Sequence, residues 1–229
     1  MGPLHGIPIS FKDQFHIKGV ETAMGYVGYL REILEYNSIL VDCVLSLGGV
    51  VYVKTTVPQT RMLVETHSGQ GSLIALKGNI CGFGTDLGGR VRFSVAVNGI
   101  YVLRPSDGRI PYRLARNSLD GQESVPSVVG PITRSLENIR TIFKAIAETK
   151  PWLADPKVHN IPWREDMFQE FQVGKLCFGV IRFDGLVHLS PPVQRAINVA
   201  VAVLRKAGHE VVEWDTSDHL EVNNEFNVL

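Results

Sequence analysis

The sequence predicts an α/β protein with a mixed central sheet flanked by helices. Two observations carry this prediction. Short apolar runs typical of buried strands alternate with longer segments in which apolar residues recur at helical spacing. In the second half, a helix opened by Ser190-Pro191 lies between two strand-like runs, Leu176–Ile181 and Glu210–Trp214. This order predicts a pair of parallel strands joined by a right-handed helical crossover.

The first half supplies three predicted elements before its glycine-rich part. The apolar run Ile7–Phe11 is typical of a strand, and it delivers Lys12 at its end. A helix with an apolar face from Ile39 to Leu47 follows, and a pair of glycines ends it. Val50–Val53 is then expected as a buried strand, which extends the alternation of helix and strand.

The stretch from Gly78 to Gly89 is rich in glycine, which weakens any helix or strand but lets backbone approach backbone or ligand closely. Beyond it, we expect core strands at Val95–Val97 and Ile100–Leu103. Residues 109–130 are polar and lack periodicity, so they are expected to form a surface loop.

The region after this loop contains one more capped helix. Ser135 is expected to cap it, and Pro151 prevents its continuation. Residues 151–173 are expected to form a connecting excursion without regular structure. After Asp215 the chain turns polar, and no closing element is expected there.

The predicted elements form a single domain over residues 1–229. Its core is expected over residues 1–150, and a peripheral βαβ part is expected over residues 151–229.

Composition excludes several classes of partner. The 23 basic and 23 acidic residues give a formal net charge of 0. Without basic clusters, neither nucleic acid nor an anionic membrane is an expected partner. The start lacks the pattern of a signal peptide and no apolar run is long enough to span a membrane, so a cytoplasmic location is expected. The three cysteines and seven histidines lack metal-ligand spacing, and neither a metal nor a cofactor is expected.

Two motifs carry the main functional signal. One is Gly2–Asp13, and the other is Gly84–Arg92, which reads Gly-Thr-Asp-Leu-Gly-Gly-Arg-Val-Arg. Together they resemble the amidase signature family, which hydrolyses carboxamides with a Ser-Ser-Lys triad. Further segments similar to the fungal acetamidase-like branch extend over nearly the whole chain. The resemblance implies the amidase signature fold, truncated at both ends because the chain corresponds only to the middle of such an enzyme.

The resemblance also assigns roles to residues. Lys12 falls on the catalytic lysine of the family, which acts as a base. The glycine-rich turn falls on the oxyanion hole, where backbone N–H groups hold the developing negative charge. One arginine of the second motif matches an arginine of the family. The binding residues that the resemblance implies are Asp86, Leu87, Gly88, Gly89 and Arg92.

The nucleophile position departs from the family pattern. The family's nucleophilic serine follows the Gly-Gly pair, and here that position holds Arg90. A guanidinium stays protonated at neutral pH and cannot attack a carbonyl. Its charge also opposes the protonated form of Lys12. The resemblance therefore implies ancestry from an amidase together with impaired catalysis.

The second serine of the triad is altered as well. Counting back from Arg90, it falls on Thr66, whose hydroxyl could still relay a proton, although the flanking glycines are missing. Nearby serines that could replace the nucleophile are Ser68, Ser72 and Ser94. Ser94 is expected on a strand, where four residues of separation place it well away from Arg90.

Three hypotheses follow for function. The preferred one is an impaired amidase that descends from enzymes converting a small carboxamide and water to a carboxylate and ammonia. The second is an active amidase that uses Thr66 or a neighbouring serine with Lys12. The third is a pseudoenzyme that binds a small amide or a protein partner. Exposed sheet edges in an incomplete fold also make a homo-oligomer possible.

Overall fold

The computed structural model describes residues 1–57, 69–118 and 121–226. The chain divides into two compact units, Met1–Trp163 and Arg164–Leu229. The expected core of the predicted single domain covered residues 1–150 and its peripheral part residues 151–229; the first compact unit ends at Trp163. The predicted α/β class is confirmed, since strands and helices alternate through both units.

The first unit is built on a five-stranded mixed sheet with the order β2-β1-β3-β5-β4. β1 runs parallel to β2 and to β3, whereas β5 runs antiparallel to β3 and β4. This arrangement places β1 and β3 at the centre, with their carboxyl ends at the same edge. The strands are β1 (Pro8–Lys12), β2 (Val50–Thr55), β3 (Cys81–Asp86), β4 (Tyr101–Val102) and β5 (Val128–Thr133).

The core of this unit lies along β1 and β3. All six residues of β3 are buried, as are four of the five in β1. The rings of Phe11 and Phe83 stack with centroids 5.3 Å apart, and the ring of Phe15 meets Phe11 edge-on at 5.5 Å. These aromatic pairs fix the two central strands relative to each other.

In the described part of this unit, four α-helices accompany the sheet, and short 3₁₀ turns lie at Val27–Tyr29 and Pro151–Leu153. Gly48, with φ of +85°, ends the first helix as predicted. The predicted cap Ser135 also lies at the N-cap of its helix. The helices are α1 (Ile39–Ser46), α2 (Gly69–Ala75), α3 (Arg90–Asn98) and α4 (Leu136–Glu148).

The sequence prediction was wrong for one strand of this unit and for the burial of another, while the strand expected at Ile100–Leu103 is present as β4. Val95–Val97 belongs to α3, in which Val91 and Val95, four positions apart on one helix face, pack with Ile74 of α2, while Val97 is exposed. The strand starting at Val50 is not buried: Val50 and Tyr52 are each 47% exposed, since β2 is an edge strand.

The strand β3 was missed because glycine is unfavourable in strands. The structure gives the reason for one of these glycines. A Cβ atom at Gly82 would lie 1.5 Å from Nε2 of Gln70 and 2.4 Å from Oγ of Ser10. The strand therefore needs glycine where polar side chains press against its backbone. The expected loop over residues 109–130 also ends earlier than predicted, at the start of β5.

The second unit contains the predicted parallel pair, with β6 (Cys177–Val180) beside β7 (Glu210–Glu213). α6 (Pro191–Lys206) connects them, with Ser190 at its N-cap as predicted. Two expectations for this part of the chain were wrong. The segment expected to be a connecting excursion contains α5 (Glu165–Val173), and the polar C-terminal part contains α7 (His219–Phe226).

Within the described residues, no helix is long and apolar enough to cross a membrane. The same residues contain no group of three or more His, Cys, Asp or Glu side chains that could hold a metal ion.

Candidate active site

The candidate site lies at the edge of the sheet where the central strands β1 and β3 end. The two strands are paired in parallel, with Phe11 opposite Phe83. Lys12 is the last residue of β1, and Thr85 and Asp86 end β3. Because carboxyl ends of parallel strands meet at one edge, the two motifs found in the sequence become neighbours in space.

Lys12 is 3% exposed, and its ammonium group lies inside the protein. Its Nζ atom donates a hydrogen bond of 3.2 Å to Oγ1 of Thr85, a side chain that is fully buried. The sequence prediction that a strand ends at Lys12 is therefore confirmed. The amine of Lys12 is held in an interior where polar groups must be paired to be tolerated.

Asp86 organises the start of α3. Its carboxylate accepts bonds from Nε of Arg92 at 2.9 Å and from Nη2 at 3.0 Å, which is a two-point ion pair. It also accepts the backbone N–H of Gly89 at 2.7 Å. Burial by itself raises the pKa of the Asp86 carboxyl, but the bonds from Arg92 and Gly89 together outweigh burial and hold that pKa below its usual range. The carboxylate is therefore charged at neutral pH.

The glycine-rich turn Leu87–Gly89 connects β3 to α3. Gly89 has φ of +102°, a left-handed conformation that side chains rarely adopt. A Cβ atom there would also lie 2.7 Å from the ring of Phe93. The Gly89 N–H donates to Asp86, so this amide is engaged within the turn itself.

Arg90 is the first residue of α3 and is half-buried. The position that the resemblance gives to the nucleophile thus lies at the start of a helix, directly after the glycine-rich turn. Thr66, at the position of the second serine, and Ser68, a candidate substitute nucleophile, lie outside the described residues.

Ser94 does not lie on a strand as predicted. The expected strand is the helix α3, so Ser94 lies one helical turn from Arg90 rather than far along an extended chain. It is nevertheless fully buried against α2, where a Cβ atom at Gly71 would lie 2.2 Å from its Oγ. Ser72 lies on α2 and is half-buried. Burial against a neighbouring helix keeps Ser94 away from solvent and from any substrate.

Gln14 and Thr85 are both fully buried near Lys12, and no pattern in the sequence had indicated a role for either. The Thr85 hydroxyl donates to Oε1 of Gln14. Gln14 stands only two positions after Lys12 but just outside the recognised motif, which ends at Asp13, and an uncharged glutamine carries no functional signal of its own. Thr85 is the second residue of the Gly84–Arg92 motif, whose distinguishing feature is its glycines.

A second lysine stands next to the site. Nζ of Lys54 lies 2.7 Å from Oδ1 of Asp13, and it also donates to Oγ1 of Thr22 at 2.6 Å. Burial lowers the pKa of Lys54, while the bond to Asp13 acts in the opposite direction. Asp13 in turn accepts the backbone N–H of Met24 at 2.9 Å. This pair fastens the segment after β1 to β2.

The fold and the site together define a class of α/β protein that places a buried strand-end lysine beside a glycine-rich helix start. Comparison with known proteins identifies the class more closely. The sequence model described as Amidase matches residues 1–68 and 67–228 of this chain. The chain belongs to the amidase family. The two matched segments meet at residues 67 and 68, next to the place where the sequence analysis found family residues missing.

Named relatives give the same result. An acetamidase of Emericella nidulans is 41% identical over 96% of this chain and 44% of its own length. Amidase 1 of Gibberella moniliformis is 39% identical over 94% of this chain and 46% of its own length. A solved structure of a fatty acid amide hydrolase matches with a TM-score of 0.88 and 36% identity, over 95% of this chain and 42% of that one. The chain thus spans less than half the length of each of these three proteins.

Proposed function

We propose that this chain descends from hydrolases of small carboxamides and that it no longer turns them over at a normal rate. The observation that carries the proposal is the residue at the start of α3. There Arg90 follows the Gly88-Gly89 pair, where the family pattern has its nucleophilic serine. The rest of the strand-end arrangement, with Lys12 buried at the end of β1, supports descent from a working site.

The ancestral reaction defines what each group would do. A serine oxygen, after passing its proton to a base, adds to the amide carbon, and ammonia leaves once its nitrogen has received a proton. Water then attacks the acyl ester and releases the carboxylate. Lys12 is the base in this scheme, and backbone amides of the Leu87–Gly89 turn would hold the developing oxyanion.

Arg90 interrupts this sequence at its first step. Its guanidinium has no lone pair to offer at neutral pH, because its pKa lies above about 12. No acyl-enzyme can form at that position. The positive charge of Arg90 would also oppose the protonated form of Lys12, which the reaction needs when the lysine takes up a proton.

A pseudoenzyme is the second candidate, and the contacts of Asp86 favour it. Asp86 still pairs with Arg92 and holds the Gly89 amide, so the turn that would cradle a ligand is organised although the nucleophile is absent. Such a site would bind a small amide or carboxylate, or a protein partner, without turnover. We further propose that the protein works in the cytoplasm and without a cofactor.

An active amidase that uses Thr66 or a nearby serine with Lys12 is the third candidate. Burial of Ser94 against α2 disfavours that residue. Thr66 and Ser68 remain the candidates to be tested by experiment.

The deciding experiment measures ammonia released from acetamide and from longer amides, with Lys12→Ala as the matched variant. We expect the same background rate for the unmodified chain and for Lys12→Ala. If the unmodified chain turns over an amide and Lys12→Ala abolishes that turnover, the hypothesis of impaired catalysis is contradicted. Saturable binding of an amide, measured by calorimetry without any ammonia release, would favour the pseudoenzyme.

A further inference from the structure

The hydrogen bonds around Gln14 have fixed directions. Its Nε2 atom lies 3.3 Å from the backbone carbonyl oxygen of Arg116, an atom that can only accept. The same Nε2 lies 2.7 Å from the Tyr112 hydroxyl. The amide nitrogen of Gln14 must therefore face Arg116, and its oxygen Oε1 must face the opposite way, towards Thr85.

This orientation determines what the Thr85 hydroxyl can do. Oε1 of Gln14 carries no hydrogen, so the single hydroxyl hydrogen of Thr85 is donated to it. Only lone pairs of Thr85 then remain for Lys12, whose Nζ lies 3.2 Å away. Lys12 is the donor in that contact, and Thr85 is neither a nucleophile nor a proton relay for it.

We propose that Gln14 and Thr85 are positioning residues, which together hold the Nζ atom of Lys12 in one place by presenting it with a fixed acceptor. The role of Lys12 as a base rests on the proposed function, but the positioning itself does not. All three side chains are buried, so water does not compete for these bonds and each is stronger than at the surface.

Tyr112, which accepts the bond from Nε2 of Gln14, is held in turn by other side chains of the same unit. Oη of Tyr112 lies 2.8 Å from Oδ1 of Asn117 and 3.1 Å from Oγ of Ser127. The backbone N–H of Arg116 donates to the carbonyl oxygen of Gln14 at 2.7 Å. Gln14 is thus held from both its backbone and its side chain, which keeps its amide from turning over.

The test measures the reactivity of Lys12 without any turnover. Isocyanic acid, formed from potassium cyanate, adds to a neutral amine and yields a carbamylated lysine. The rate at each lysine follows from mass spectrometry of peptides. Lys54 serves as a buried reference in the same molecules, because its contacts involve Asp13 and Thr22 instead of Thr85.

We expect Thr85→Val to raise the carbamylation rate of Lys12 relative to Lys54 by about ten-fold, since the ammonium form loses an acceptor. Thr85→Ser keeps the hydroxyl and should stay within about two-fold of the unmodified chain. Gln14→Met should change the rate by about three-fold or more, but only when Thr85 is present. In the Thr85→Val background, the same Gln14→Met change should have no further effect.

Equal Lys12 rates in Thr85→Val, Thr85→Ser and the unmodified chain would overturn the proposal. So would a Gln14→Met effect that persists in the Thr85→Val background. If Thr85→Val fails to fold, Lys54 will react faster to the same extent, and Gln14→Met alone then decides, with an unchanged rate contradicting the proposal. Because no turnover is measured, a negative ammonia assay leaves this result unaffected.

Discussion

Asp86 holds Arg92 through both carboxylate oxygens, and this pair joins the end of β3 to the first turn of α3. The carboxylate is buried, whereas the side chain of Arg92 is 55% exposed. The same carboxylate accepts the N–H of Gly89. One acidic residue therefore fixes the turn between the strand and the helix from two sides.

Removing the charge of Asp86 should destabilise the protein. We expect Asp86→Asn to lower the free energy of unfolding by about 2 kcal/mol, because charge-assisted bonds to Arg92 and Gly89 are weakened or lost. Urea unfolding at pH 7 measures this. The matched control is Glu137→Gln, which breaks the exposed pair of Glu137 with Arg140 and should cost about 0.5 kcal/mol or less. Equal losses in both variants would contradict the expected importance of Asp86.

The free energy of unfolding should decrease as the pH is lowered, because of His16. Burial lowers the pKa of His16 to about 4, and the charges of Arg116 and Lys54 act in the same direction. The unfolded chain binds this proton at a higher pH, near 6.5, so the folded state is favoured most above that value. The contribution, at most about 3 kcal/mol, should be lost progressively as pH falls from about 6.5 to 4.

Urea unfolding at pH values between 7.5 and 4 tests the role of His16. His16→Gln should flatten the dependence of unfolding free energy on pH in this window. His5→Gln, a change at an exposed position, is the matched control and should retain the slope of the unmodified chain. A slope that His16→Gln leaves unchanged would exclude His16 as its source.

Gly82→Ala should be strongly destabilising. The added methyl would lie 1.5 Å from Nε2 of Gln70 and 2.4 Å from Oγ of Ser10, in a fully buried strand. We expect a loss of about 2 kcal/mol or more in unfolding free energy. Gly28→Ala is the control, because a Cβ atom there meets nothing within 4 Å. An equal loss of unfolding free energy in both variants would disprove the steric explanation.

Arg90→Ser should restore a nucleophile to the start of α3. If the remaining site is still organised, the variant should react covalently with a fluorophosphonate probe, while the unmodified chain should not. Peptide mapping identifies the labelled residue. Adding Lys12→Met should reduce labelling by about 100-fold, as expected for loss of a general base. Labelling of a residue other than residue 90 would point instead to a substitute nucleophile.

Much of the fold followed from the sequence where patterns were strong and local. The strand before Lys12 and the helix after Ser190 rest on apolar periodicity and on caps, which depend only on neighbouring residues. The prediction failed for β3, where glycines hide a strand that tertiary packing requires. It also failed at Val95–Val97, because three apolar residues in a row do not distinguish a strand from a helix.

The candidate site, like the fold, could be predicted only in part from the sequence. The sequence by itself determined the family and the identity of Lys12 and Arg90 at their motif positions, since these are properties of short segments. Only the tertiary structure decided that Lys12 contacts Thr85, 73 positions further along the chain, and that Gln14 orients that contact. The order of strands in the sheet creates these neighbours, and no local pattern encodes which distant side chains a sheet brings together.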